Sequence, residues 1–137
     1  HGAAEGGRCG PHCPARTGIE VAGLEIALVG INHRTAPVEV RERLAMDAAA
    51  ADAYLRAVHR LNGIAEVMLI STCNRTEIYL ASCSPDLALD AAAAHLLRSR
   101  GVEGMSQGAF YRRRGGDAIA SLFRIACGAD RCCGSRR

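Results

Sequence analysis

Short apolar blocks separated by polar stretches predict a run of strands and helices along this chain. From Leu24 to Ile31 the segment LEIALVGI is apolar and β-branched, which predicts a buried strand ended by the polar loop Asn32-His33-Arg34-Thr35-Ala36-Pro37. After Pro37 the segment VEVRERL predicts one or two helical turns. Asp47 then caps a helix in which Tyr54, Leu55, Val58 and Leu61 share a face, and Asn62-Gly63 stops it. Two further apolar runs, Glu66–Ser71 and Glu77–Ser82, flank the five-residue turn Thr72-Cys73-Asn74-Arg75-Thr76 and predict a hairpin. Ser84-Pro85-Asp86 opens a helix with Leu89, Ala93, Leu96 and Leu97 on its apolar face, ended by Gly101. Ala109–Arg113 predicts a fourth strand, and Asp117 caps a last helix expected to turn Ile119, Leu122, Phe123 and Ala126 inward.

The order strand, helix, strand, strand, helix, strand is that of an α+β, ferredoxin-like split βαβ sandwich, here with an extra C-terminal helix. Many unrelated activities share such a fold, so function has to be argued from a site.

The 137 residues and 49% hydrophobic content suit one domain with one core. Residues 1–22, rich in Gly, Ala, Pro and Arg and without periodicity, read as a disordered leader; the domain is expected over 23–130, with 131–137 a tail. A formal charge of +3 is compatible with RNA binding and does not require it. No run approaches the roughly 18 apolar residues of a membrane span, and no secretory signal opens the chain, so a cytoplasmic protein is expected.

Seven cysteines, an odd number at irregular spacing, argue for free thiols over a disulfide framework. Cys9, His12 and Cys13 with Cys132 and Cys133 lack the paired spacing of a zinc ribbon, and no metal is expected. Cys83 and Cys127 read as small buried hydrophobes. Cys73 differs, because it lies in a wholly polar turn at the end of a strand, with Arg75 two positions on as a cation able to favour its thiolate. From the residues alone it is either a reactive thiol or an ordinary turn residue. His33 and Arg34 either serve a substrate or belong to a solvated loop, and Arg112-Arg113-Arg114 either contacts phosphates or forms a solvated face.

The stretch Gly30-Ile31-Asn32-His33-Arg34-Thr35-Ala36-Pro37-Val38 with Arg41-Glu42-Arg43-Leu44, followed by Ser71-Thr72-Cys73-Asn74-Arg75-Thr76-Glu77-Ile78-Tyr79, resembles the N-terminal catalytic domain of glutamyl-tRNA reductase. Leu122-Phe123-Arg124-Ile125-Ala126 with Gly128 and Asp130 extends the resemblance, which runs from about Leu24 to Asp130. It implies that Cys73 attacks the carbonyl of glutamate esterified to tRNA and forms an enzyme-bound thioester. Thr72, Asn74 and Arg75 would bind the glutamyl group, Arg75 having the planar fork suited to a carboxylate. NADPH then delivers hydride in the full-length family, releasing glutamate-1-semialdehyde for tetrapyrrole and heme synthesis. The family forms homodimers through a helical domain.

Three departures from the family pattern stand out. Ser121 occupies the position of a family histidine important for activity. The residues after Asp130 leave the family pattern, and one permitted coding of Gly134-Ser135-Arg136-Arg137 reads Glu-Pro-Gln in another frame, which predicts a frameshift. No Gly-x-Gly-x-x-Gly element follows a strand, so the NADPH-binding domain, like the dimerisation domain, is expected to be absent from this chain. The resemblance thus implies a truncated reductase domain lacking the reduction step. The alternatives are a non-catalytic tRNA- or partner-binding fragment and a gene fragment without a biochemical role.

Overall fold

The computed structural model describes residues 23–105 and 107–128. The leader, the tail, Asp130 and the cysteines drawn into a zinc site (Cys9, Cys13, Cys132 and Cys133, with His12) lie outside the described residues. In chain order the elements are β1 (Glu25–Asn32), α1 (Val38–Leu44), α2 (Ala48–His59), β2 (Glu66–Ser71), β3 (Arg75–Ser82), α3 (Pro85–Ser99), a 3-10 turn (Gln107–Ala109), β4 (Tyr111–Arg114) and α4 (Gly116–Ala126). The four strands form one sheet in the order β2-β3-β1-β4, every neighbouring pair antiparallel. This is the α+β, ferredoxin-like sandwich expected from the element order, with α4 added at the end.

Side chains alternate across a strand, so β1 and β3 each supply two different surfaces. Ala27, Val29 and Ile31 of β1 meet Ile78 and Leu80 of β3 in the main core, where Leu89 and Leu96 of α3 and Val58 of α2 complete a fully buried apolar cluster. The Asp47 side chain accepts from Ala50 N at 2.8 Å, which satisfies an otherwise unpaired amide at the start of α2. The Tyr54 hydroxyl donates to the Ala92 carbonyl at 2.7 Å and ties α2 to α3.

The opposite face of the sheet is covered by α4. The inward side chains of α4 are Ala118 and Ser121, with Leu122 partly buried, whereas Phe123 is 63% exposed and Ile119 and Ala126 are exposed too. The expectation that Ile119, Phe123 and Ala126 face inward is therefore corrected. Small side chains turn toward the sheet because Leu28, Tyr79 and Tyr111 already fill that face. Asp117 lies in the first turn of α4, and its expected capping role is taken by Gly115, which contributes no side chain.

The predicted strand bounds also shift. Arg75 and Thr76 belong to β3 and are buried, because Asn32 and Ile31 of β1 pair with them and extend the ladder to the end of β1. The turn shrinks to Thr72, Cys73 and Asn74. β4 begins at Tyr111 instead of Ala109. No helix among the described residues is long and apolar enough to cross a membrane.

Candidate active site

The register Asn32↔Arg75 places the end of β1 beside the start of β3, so the Asn32–Pro37 loop and the Cys73 turn share one end of the sheet. Sequence spacing could not establish that juxtaposition, since β1 and β3 are neighbours in the sheet but are not consecutive in the chain. Cys73 is an exposed free thiol at the hairpin tip. Below it, the Thr72 amide donates to the Arg75 carbonyl at 2.8 Å and the Asn74 amide donates to Thr72 Oγ1 at 3.2 Å. Thr72 and Cys73 are exposed and Asn74 is half-buried, so the three turn residues are presented together at the surface.

The neighbouring loop is braced from within. Asn32 Oδ1 accepts from the amides of Arg34 and Thr35, at 2.8 and 3.2 Å, and Thr35 Oγ1 accepts from the Asn32 amide at 3.0 Å. Such self-bonding by a short polar side chain is the ordinary way a loop of this kind holds its shape. Arg34 is exposed, and His33 is half-buried with its Nδ1 shielded from solvent and without a hydrogen-bond partner.

Arg75 behaves differently from its three neighbours in the motif. Its guanidinium is 5% exposed, and Nη1 donates to Glu77 Oε2 at 2.8 Å. Glu77 is 2% exposed; its Oε1 accepts from the Tyr79 hydroxyl at 2.8 Å, and its Oε2 accepts from the Tyr111 hydroxyl as well. Burial, then the hydrogen bond to Glu77 and its negative charge, holds both phenols well above their ordinary value of 10.0. Gly30 makes the space for this carboxylate: a Cβ there would lie 2.6 Å from the Thr76 carbonyl oxygen and 2.8 Å from Glu77 Cγ. Arg75 thus stands at the base of the hairpin, on the α4 side, as part of a buried polar network.

Two groups with a place in this site went unassigned in the sequence. Glu77 is hidden by its position in an apolar run, although the alternation Arg75, Glu77, Tyr79 marks one polar side of β3. Arg41 of α1 donates from Nη1 to the Cys73 carbonyl at 2.7 Å and from Nε to the Ala36 carbonyl at 3.1 Å. No local spacing rule connects positions 41 and 73, so only the folded chain could identify Arg41.

The remaining candidates fall elsewhere. Ser121 is buried under the sheet, its Oγ accepting from Arg124 Nη2 at 3.1 Å. The arginine run of β4 is exposed but engaged: Arg112 pairs with Asp90 at 2.6 Å, Arg114 pairs with Glu25 and Asp86, and Arg113 lies over the Tyr111 ring. Cys127 is an exposed thiol instead of a buried one, because α4 ends there with its last turn outside the packed face. Cys83 is disulfide-bonded, which corrects its reading as a free buried thiol. Among the described residues no group of three His, Cys, Asp or Glu side chains is arranged to hold a metal ion.

The comparisons with known proteins fit this placement. A family model described as Glutamyl-tRNAGlu reductase, N-terminal domain, matches residues 29–132, which include both loops and the network beneath them. The chain is 39% identical over 109 residues to the glutamyl-tRNA reductase of Desulfatibacillum aliphaticivorans, covering 78% of this chain and 25% of that protein. It is 38% identical over 109 residues to that of Rubrobacter xylanophilus, covering 77% and 24%, and 37% identical over 108 residues to that of Syntrophotalea carbinolica, covering 78% and 24%. The chain spans about a quarter of the length of the curated relatives it matches. With the family match running through most of the described fold and both site loops, this chain belongs to the glutamyl-tRNA reductase N-terminal domain family.

Proposed function

We propose that this chain is the acyl-accepting domain of a glutamyl-tRNA reductase, with Cys73 as its nucleophile. The observation that carries the reading is the placement of Cys73: an exposed free thiol at the tip of a hairpin whose carbonyl is fixed by Arg41, within the matched segment. The substrate is glutamate esterified to the ribose of its tRNA. The Cys73 thiolate adds to the ester carbonyl carbon, a C–S bond forms, and the C–O bond to the ribose breaks. The departing ribose oxygen takes up a proton in place of the one the thiol gave to solvent, so charge and atoms balance. Thr72, exposed beside the thiol, and half-buried Asn74 orient the glutamyl group, and the Arg75 guanidinium, bonded to Glu77 beneath the turn, is the candidate partner for its free carboxylate.

A thioester is still reactive enough to accept hydride, and in the longer proteins of this family the reaction would proceed to glutamate-1-semialdehyde, the entry to tetrapyrrole synthesis. The described residues do not fit NADPH: every strand pair is antiparallel, and where β4 runs through Gly115 and Gly116 into α4 the sequence lacks the Gly-x-Gly-x-x-Gly pattern. On these residues alone the thioester meets water, and glutamate is released.

The reading is tested by mixing the chain with tRNA carrying labelled glutamate and quenching in acid. Label retained by wild type and absent from Cys73→Ser is the expected outcome; release of glutamate at equal rates in both would sink it. A second reading, tRNA binding without acyl transfer, is favoured by one observation. Ser121, where the family has a histidine important for activity, is engaged by Arg124 beneath the sheet. Salt-sensitive tRNA binding unchanged in Cys73→Ser, with no label on either protein, would select it.

A further inference from the structure

The hairpin that carries Cys73 is secured at its tip by a side chain from outside the sheet. The β2–β3 ladder ends at the pair Ser71↔Thr76, and within the tip the bonds to Thr72 N and Asn74 N remain. Arg41 adds the long-range contact: one guanidinium bonds the Cys73 carbonyl through Nη1 and the Ala36 carbonyl through Nε. The Ala36 end is fixed, since Ala36 is 5% exposed and its amide donates to the Asn32 carbonyl at 3.0 Å in the self-braced loop. A planar fork that bonds two carbonyls on separate segments sets the distance between them, which a single ammonium on a flexible stem does not do.

We propose that Arg41 is a positioning residue for Cys73, locking the hairpin tip to the Asn32–Pro37 loop so that the thiol meets an incoming acyl carbon on a fixed line. The proposal rests on the reading of Cys73 as acyl acceptor. Arg41 acts through the main chain of Cys73 and does not touch the substrate. Nucleophilic attack on an ester carbonyl is sensitive to placement, and a misplacement of about 1 Å can cost on the order of 100-fold in rate. Alkylation of a thiol by a small freely diffusing reagent has no such requirement.

The test uses the whole chain as wild type, Arg41→Lys and Arg41→Ala, with folding checked by circular dichroism. Two readouts are taken: the rate of label transfer from glutamyl-tRNA as a function of its concentration, and the pH profile of iodoacetamide alkylation followed on the peptide carrying Cys73. Both variants are expected to lose about 10- to 100-fold in the saturating transfer rate. The half-saturating tRNA concentration and the alkylation profile should stay at their wild-type values. Full transfer by Arg41→Lys would show that charge alone suffices and overturn the two-point lock, as would parallel losses in transfer and alkylation. Wild type without label would remove the acyl-acceptor reading itself. In that event hydrogen exchange at the Thr72 and Asn74 amides decides the lock: faster exchange in the folded Arg41 variants supports it, and unchanged exchange overturns it. If Arg41→Ala does not fold, the same measurements on Arg41→Lys decide.

Discussion

The two faces of the sheet are built on different physics although the same strands make both. On the side covered by α2 and α3, Val29, Ile31, Ile78 and Leu80 pack against Leu89 and Leu96 in a cluster free of charged side chains. On the α4 side the same strands bury Glu77 against Arg75, Tyr79 and Tyr111. The first face gains free energy from apolar area removed from water. The second pays a desolvation cost that its internal bonds largely offset, so its role is to fix positions more than to add stability. That network lies directly under the hairpin of Cys73, and the apolar core holds the sheet rigid behind it.

The comparison is broken most sharply by removing one member of the buried ion pair. Glu77→Ala removes a buried carboxylate bonded to Arg75, Tyr79 and Tyr111 and is expected to cost about 3–5 kcal/mol in urea unfolding. The paired replacement Arg75→Met with Glu77→Leu should recover most of that loss, because two charges leave together; a double variant as unstable as the single would show that the network is a net stabiliser. On the other face, Leu89→Ala opens a cavity in a fully buried site and should cost about 3 kcal/mol by the same measurement. Cys73 alkylation should be unchanged in that variant wherever the protein is folded.

A milder change sharpens the contrast. Tyr111→Phe keeps the ring and deletes one bond to a buried carboxylate, with an expected loss of about 2 kcal/mol. At neutral pH the smallest effect comes from the tyrosines, which become informative only in alkali. Tyr54, Tyr79 and Tyr111 all have phenols raised above 10.0, chiefly by burial. The unfolded chain therefore ionises first, so this stability is fully present below about pH 10 and is lost as pH rises above it. Phenolate absorbance should appear together with unfolding; ionisation of the folded protein at the ordinary pH would contradict the burial of these hydroxyls.

Much of the fold was legible in the sequence because its signals are local. The Asp47 cap, the apolar stripe of α2, the Pro85 start of α3 and the two strand runs around Cys73 each follow from residues within one or two turns of chain. The exposed thiol of Cys73 was legible for the same reason, since its place in a polar turn can be read from its neighbours. What stayed hidden depends on long-range register. Arg75 and Thr76 read as turn until β1 pairs with them, and Arg41 has no visible target until β3 brings Cys73 beside α1. The orientation of α4 was misread because two apolar stripes compete on that helix, and the bulk of Tyr79 and Tyr111 on the sheet decides in favour of the smaller one.

The most direct test of the central claim is peptide mapping after reaction with glutamyl-tRNA. The account predicts one glutamyl group on the peptide containing Cys73, released by hydroxylamine as a thioester should be, and none on the peptide containing Cys127, also an exposed free thiol among the described residues. A glutamyl group spread over both thiols, or absent from Cys73 while glutamate is still released, would contradict it.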